Sequence, residues 1–187
     1  MGTKLDCSRL RLHLIDLNGQ LVDAWQKAFA PFPEVGIQQR NLFSVAENCV
    51  VSPANSFGFM DGGIDAAYRE FFGPQIESAV RHIITTRPEG HLPVGASLVV
   101  RTGHVRVPYL IVAPAMVTPE AVPGKNCYRA MRAVLRVAGT DAKVGRAVYC
   151  PGLATGIGRV PPDEAATLMA EAYRDWKLHI RQAYEPS

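Results

Sequence analysis

Val50-Val51-Ser52-Pro53-Ala54-Asn55-Ser56-Phe57-Gly58-Phe59-Met60-Asp61-Gly62-Gly63-Ile64-Asp65-Ala66-Ala67-Tyr68-Arg69-Glu70-Phe71-Phe72-Gly73 reads as a strand, a glycine loop and a helix in immediate succession. Cys49, Val50 and Val51 make a short apolar run suited to a buried strand. Pro53 has no N–H to give to a ladder, so the strand is expected to end near Ala54 with Asn55 at its carboxyl tip. Gly58, Gly62 and Gly63 let the chain turn and let a ligand come close to bare peptide. Asp65 then falls in the first turn of the helix, and Gly73-Pro74 stops it.

Such a loop suits a phosphate-bearing ligand, because unpaired amides at a helix start carry partial positive charge and no Cβ holds the anion away. Asn55 and Asp65, placed at the rim, can both hydrogen-bond sugar hydroxyls. Taken alone, one glycine loop reads more readily as a tight strand-to-helix connection. The chain has a second: the strand Gly145 to Cys150 is ended by Pro151, and Gly152-Leu153-Ala154-Thr155-Gly156-Ile157-Gly158-Arg159 follows. Pro161-Pro162-Asp163-Glu164 then opens a helix with proline and acidic residues in its first turn, where both are favoured.

Outward from these loops, strands alternate with helices. Leu10 to Leu17 alternates apolar with polar residues as a half-buried strand, His13 on its polar face. Leu21, Val22, Trp25, Ala28 and Phe29 recur at helical spacing. A short strand is expected over Ile37 to Phe43. A helix runs from about Gln75 to Thr85, and Ala96–Val100 with Tyr109–Ala113 form a hairpin turned at Thr102-Gly103. Asn126 is expected to cap a helix carrying Cys127, Ala130, Met131, Val134, Leu135 and Ala138 inward and Arg129, Arg132 and Arg136 outward. The last helix buries Ala165, Leu168, Met169, Ala172, Tyr173 and Trp176. This order predicts a three-layer α/β/α sandwich with a mixed central sheet, and both loops lie at the carboxyl ends of strands, where open sheets bind ligands.

With 187 residues and 48% hydrophobic content, the chain is expected to form a single domain (residues 1–187) with its core over about 10–176 and a loose polar start at Met1–Ser8. Formal net charge is +3 and the arginines are scattered, which disfavours a dedicated nucleic-acid binder. Cys7, Cys49, Cys127 and Cys150 stand far apart, giving neither a zinc motif nor a disulfide framework. His82, His91 and His104 read as solvated or loop residues, and Cys150 as a buried thiol without a histidine partner. No apolar run reaches membrane-spanning length and no signal-peptide pattern opens the chain, so a cytoplasmic protein is expected.

Across roughly Leu10 to Trp176, the paired loops resemble the macro domain family of ADP-ribose-binding proteins. Ser52-Pro53-Ala54-Asn55 stands where that family has Asn-Ala-Ala-Asn, and Asp61-Gly62-Gly63-Ile64-Asp65 follows it. Ala154-Thr155-Gly156-Ile157 matches the later Ser/Gly-Thr-Gly-Ile loop. The resemblance implies that Asn55 binds the distal ribose and that Gly62 and Gly63 close over that ribose and its phosphate. Thr155, Gly156, Ile157 and Gly158 would cradle the diphosphate, and Ala54, Asp61, Ile64, Gly152, Ala154 and Arg159 are further expected ligand-binding residues. Asn41 sits where the family has the aspartate that accepts from the adenine amino group, and an amide oxygen can accept the same bond. Leu42 and Phe43 would line the adenine pocket. Ser52, Asp61 and Gly158 depart from the family pattern. Gly158 stands where an aromatic often stacks on the ribose, a ring that Phe57 or Phe59 would supply.

Asp65 decides between classes. Hydrolytic macro domains carry an aspartate after Gly-Gly-Val, matched by Gly62-Gly63-Ile64-Asp65, so Asp65 with Asn55 forms the expected catalytic pair. A carboxylate there can activate water or stabilise positive charge on the ribose. The resemblance therefore implies an ADP-ribosyl hydrolase acting on ADP-ribosylated protein or a related conjugate, with no metal or redox cofactor. A reader module that binds ADP-ribose without chemistry is the alternative, and acidic residues are common in first helical turns in any case. An incomplete Gly-x-Gly-x-x-Gly ranks a dinucleotide oxidoreductase low. Oligomeric state is not readable from the sequence.

Overall fold

A computed structural model describes residues 10–184; the expectations for Met1–Ser8 and Cys7 fall outside the described residues. Six strands, β1 (Leu12–Asp16), β2 (Gly36–Gln39), β3 (Cys49–Ser52), β4 (Leu98–Arg101), β5 (Tyr109–Val112) and β6 (Val148–Cys150), form one sheet in the order β2-β1-β6-β3-β5-β4. All neighbours run parallel except β4 against β5, the predicted hairpin, where Leu98 pairs with Val112 and Arg101 with Tyr109. Parallel strands need both faces covered, and the side-chain alternation supplies both. Leu12, Leu14, Cys49, Val51, Ile111, Val148 and Cys150 face one layer. Ile15, Val50, Leu110 and Val112 face the other.

The first layer is packed by α1 (Gly19–Ala28), α5 (Lys125–Thr140) and α6 (Pro162–Tyr184), through buried residues that include Trp25, Met131 and Met169. The second is packed by α2 (Leu42–Val45), α3 (Gly63–Phe72) and α4 (Gln75–Thr85), through Leu42, Tyr68, Phe72, Ile76, Val80 and Ile84. The expected α/β/α sandwich with a mixed sheet is the architecture found. Among the described residues no helix is long and apolar enough to cross a membrane.

Four local expectations are corrected. The strand predicted over Ile37–Phe43 stops at Gln39, because the Asn41 side-chain oxygen accepts from the Phe43 N–H at 2.9 Å and turns the chain into α2. β6 spans only Val148–Cys150, since the Gly145 N–H bonds the Asp141 carbonyl in a turn. Asn126 does not cap α5: Gly124 holds that place, and the Asn126 amide, buried, donates to the Ala115 carbonyl at 2.8 Å. His13 is half-buried rather than free on the surface, stacked on Tyr149 with 4.6 Å between centroids.

Candidate functional site

Every parallel strand ends at one edge of the sheet, and the segments that follow them enclose a cleft of about 510 Å³. Asp16 ends β1 and Leu17 and Asn18 follow it, Arg40 to Phe43 follow β2, Pro53 to Asn55 follow β3, Met116 and Pro119 follow β5, and Pro151 to Ile157 follow β6, Leu153 excepted. The antiparallel β4 contributes no wall. This placement is the general property of open α/β sheets, whose ligands sit beyond the carboxyl ends of the strands.

The two glycine loops meet across that cleft. A Cβ built on Gly62 would lie 3.1 Å from Cδ1 of Ile157, so the tips of the two loops are almost in contact over the pocket. Around the second loop, Ala154 adopts φ 59 and Arg159 φ 55, left-handed conformations held by bonds from Val160 N–H to Ala154 O and from Arg159 N–H to Gly156 O. Gly158 is required as glycine because a Cβ there would lie 2.5 Å from the Ala154 carbonyl oxygen, whereas Gly156 faces open space.

Asp65 lies in the first turn of α3, buried rather than at the rim. The Ser52 hydroxyl donates to its Oδ1 at 2.6 Å. Burial pushes its carboxyl up to about 7 against the opposing Ser52 hydrogen bond, and the nearby charge of Asp61 adds to the rise. One turn further on, the Tyr68 hydroxyl donates to the Val51 carbonyl at 2.8 Å, so α3 is seated on β3 by two polar contacts. Asn55, buried, is committed to its own loop: its carbonyl oxygen accepts from the Phe57 and Phe59 N–H groups and its amide donates to the Phe59 carbonyl.

Of the residues singled out in the sequence, Asn41, Leu42, Phe43, Ala54, Asn55, Asp61, Gly62, Gly63, Ile64, Asp65, Gly152, Ala154, Thr155, Gly156 and Ile157 wall the cleft. Phe57, Gly158 and Arg159 do not. Phe59 does, with the Arg81 guanidinium over its ring at 4.2 Å, so it is the better placed of the two rings named from the sequence. Phe57 instead turns toward His91, 6.3 Å between centroids.

Asp16 was missed by the sequence reading. Its carboxylate accepts from the Asn18 N–H at 2.9 Å and the Gly152 N–H at 3.1 Å, tying the end of β1 to the start of the second loop. Its place as the last residue of a strand at the sheet's carboxyl edge was the available signal. Cys49, Cys127 and Cys150 are buried free thiols, and burial holds the Cys150 thiol far above the ordinary range.

The fold and cleft define an α/β/α ligand-binding domain whose site is built at the strand ends from two facing glycine loops. A profile of the Macro domain matches residues 51–169, and the chain belongs to that family. An uncharacterised protein of Aquifex aeolicus is 31% identical over 146 residues, covering 77% of this chain and 83% of that one. In fold, the chain is similar to the macrodomain of Mycobacterium tuberculosis DarG, with TM-score 0.63, 18% identity, and coverage of 74% of this chain and 88% of the other. It is also similar to an Oceanobacillus iheyensis macrodomain mutant solved with ADPR, with TM-score 0.60, 18% identity, and coverage of 70% and 71%.

Proposed function

We propose that the cleft binds ADP-ribose, the ADPR of the Oceanobacillus structure, and that the protein hydrolyses the bond between ADP-ribose and a protein carrier or related conjugate. The diphosphate lies against the bare amides of Thr155 to Ile157. The adenine lies over Leu42 beside Asn41, and the distal ribose is enclosed by Asp61 to Ile64 with Phe59 beside it. The observation that carries hydrolysis is Asp65: a buried carboxyl on the cleft wall, fixed at one oxygen by Ser52.

In this mechanism the ionised Asp65 takes a proton from a water whose oxygen bonds to the anomeric carbon. The bond from that carbon to the carrier's oxygen breaks, and an acidic side chain leaves as its carboxylate. Asp65 then returns the proton to solvent. A general base that ionises near 7 suits proton transfer at neutral pH. Activity is expected to rise as pH passes upward through about 7, as the carboxylate form accumulates.

A non-catalytic reader is the second reading, and the observation favouring it is Asn55, whose side chain is spent on its own loop rather than offered to a ribose. Release of ADP-ribose from a mono-ADP-ribosylated protein, followed for the native chain and Asp65→Ala, separates the two. The hydrolase reading predicts turnover that falls by at least 100-fold in the variant while ADP-ribose still binds. Binding without release by the native chain from any linkage offered would establish the reader.

A further inference from the structure

The Ser52 to Asp65 contact joins the end of a strand to the start of a helix, and its geometry bears on more than stability. Ser52 is the last residue of β3 and shares a sheet face with Val50, beneath α3. It is 1% exposed and Asp65 is 7% exposed, so water does not compete freely for the bond between them. The Ser52 hydroxyl donates to Asp65 Oδ1 at 2.6 Å, and such a bond is roughly twice as strong to an ionised carboxylate as between neutral groups.

The other carboxylate oxygen has a different environment. Among the described residues no group donates to Asp65 Oδ2, and the one sealed-off side-chain polar atom without a partner is Trp25 Nε1. Oδ2 is therefore not sealed off by the described residues, and Asp65 is part of the cleft wall. One oxygen is clamped from below and the other is offered to whatever occupies the pocket.

We infer that Ser52 is the positioning residue for Asp65: its hydroxyl holds Oδ1 so that Oδ2 faces the cleft, and by donating to the charged form it keeps the carboxyl ionisable in a buried place. The assignment of a catalytic use to this arrangement rests on the hydrolytic reading above; the arrangement itself does not. Burial raises the Asp65 carboxyl, and Ser52 is the side chain that works against the rise. Tyr68 supplies the internal comparison. Its bond to Val51 seats the same helix one turn away; Tyr68 makes no hydrogen bond to the carboxyl and does not wall the cleft. If Ser52 served only to fasten α3, loss of either contact would have the same consequences. If it positions and tunes Asp65, only the loss of Ser52 alters the titration.

The test is the carbon NMR titration of the Asp65 side-chain carboxyl in the whole chain, for the native protein and for Ser52→Ala, Ser52→Cys, Ser52→Thr and Tyr68→Phe. The native midpoint is expected well above that of an ordinary aspartate. Ser52→Ala moves it upward by about one pH unit, a tenfold smaller ionised fraction at a given pH below the midpoint. Ser52→Cys, a weaker donor of similar size, moves it the same way by less, and Ser52→Thr restores it. Tyr68→Phe lowers the melting temperature and leaves the midpoint in place. In turnover, Ser52→Ala lowers kcat about fivefold at pH 7 and about tenfold well below the midpoint, shifts the pH profile to the alkaline side and leaves KM within about twofold. A midpoint unmoved in Ser52→Ala and Ser52→Cys, or moved equally by Tyr68→Phe, overturns the inference. The predicted titration with no turnover at any pH overturns the hydrolytic reading and leaves the placement of Asp65 by Ser52 standing.

Discussion

The loop after β3 and the loop after β6 face each other across one cleft with their tips almost touching, yet they bring different things to it. The first brings side chains: Asn55 folded back on its own loop, Phe59 under Arg81, and Asp65 clamped by Ser52. The second brings backbone, with left-handed turns at Ala154 and Arg159 and a glycine, Gly156, that faces open space. The difference separates two tasks that the proposed hydrolase would have to perform. Holding an anion needs amides without obstruction, whereas acting on a bond needs a titratable group whose environment sets its charge.

If that division is right, substitutions in the two loops should fail in different ways. The largest effect is expected at Asp65, whose folded-state carboxyl is raised to about 7 from 3.8. Between these two values the folded protein binds more protons than the unfolded chain, so native stability falls as pH rises from about 4 to 7. Asp65→Asn removes this penalty. Its stability relative to the native chain should be near parity at pH 4 and grow to a gain of up to about 4 kcal/mol at pH 8, read from urea unfolding. A variant equally stable with the native chain at both pH values would show that Asp65 is not buried as a charge.

Gly156→Asp is the matching change in the second loop. A Cβ there meets nothing within 4 Å, so the melting temperature should stay within about 2 °C of native. The substitution puts a carboxylate where we propose the diphosphate binds, and ADP-ribose affinity should fall by more than about 100-fold, or about 3 kcal/mol. Retained binding would remove the anion cradle from this loop.

Asn55→Ala should come next. It strips the loop of the acceptor for two N–H groups and the donor to one carbonyl, lowering stability by about 2 kcal/mol in a denaturant titration. Loss of binding without loss of stability would mean that Asn55 serves the ligand rather than its loop. Asp16→Ala is the smallest, about 1 kcal/mol, because the two amides it releases lie near the open cleft and can turn to water.

Much of this was legible from the chain. The paired strand-loop-helix units, the hairpin and the α4 limits were readable because proline, glycine and apolar spacing mark them locally. The short strand that failed at Asn41 did so because one side-chain carbonyl turned the chain, a local bond that β-branched and apolar patterns do not register. Asn126 looked like a cap and became a tertiary donor to Ala115, eleven residues earlier, a role set by packing. In the site, residues on the two loops and on the segment Asn41–Phe43 were placed by motif, and 15 of them wall the cleft. Asp16 was not placed, since its partner Gly152 lies 136 residues away. Nor was the Ser52 bond, because Ser52 read as a departure from a pattern and not as the partner of Asp65.

Calorimetric titration of the native chain with ADP-ribose, AMP and NAD tests the central claim most directly, because each ligand fills a different share of the cleft. One-site binding is expected, with ADP-ribose at least tenfold tighter than AMP, which lacks the second phosphate and the distal ribose, and with NAD weakened by a nicotinamide that meets the loop at Gly62 and Ile157. No heat with ADP-ribose, or equal affinity for all three, would contradict the reading of the two loops as one diphosphate-and-ribose site.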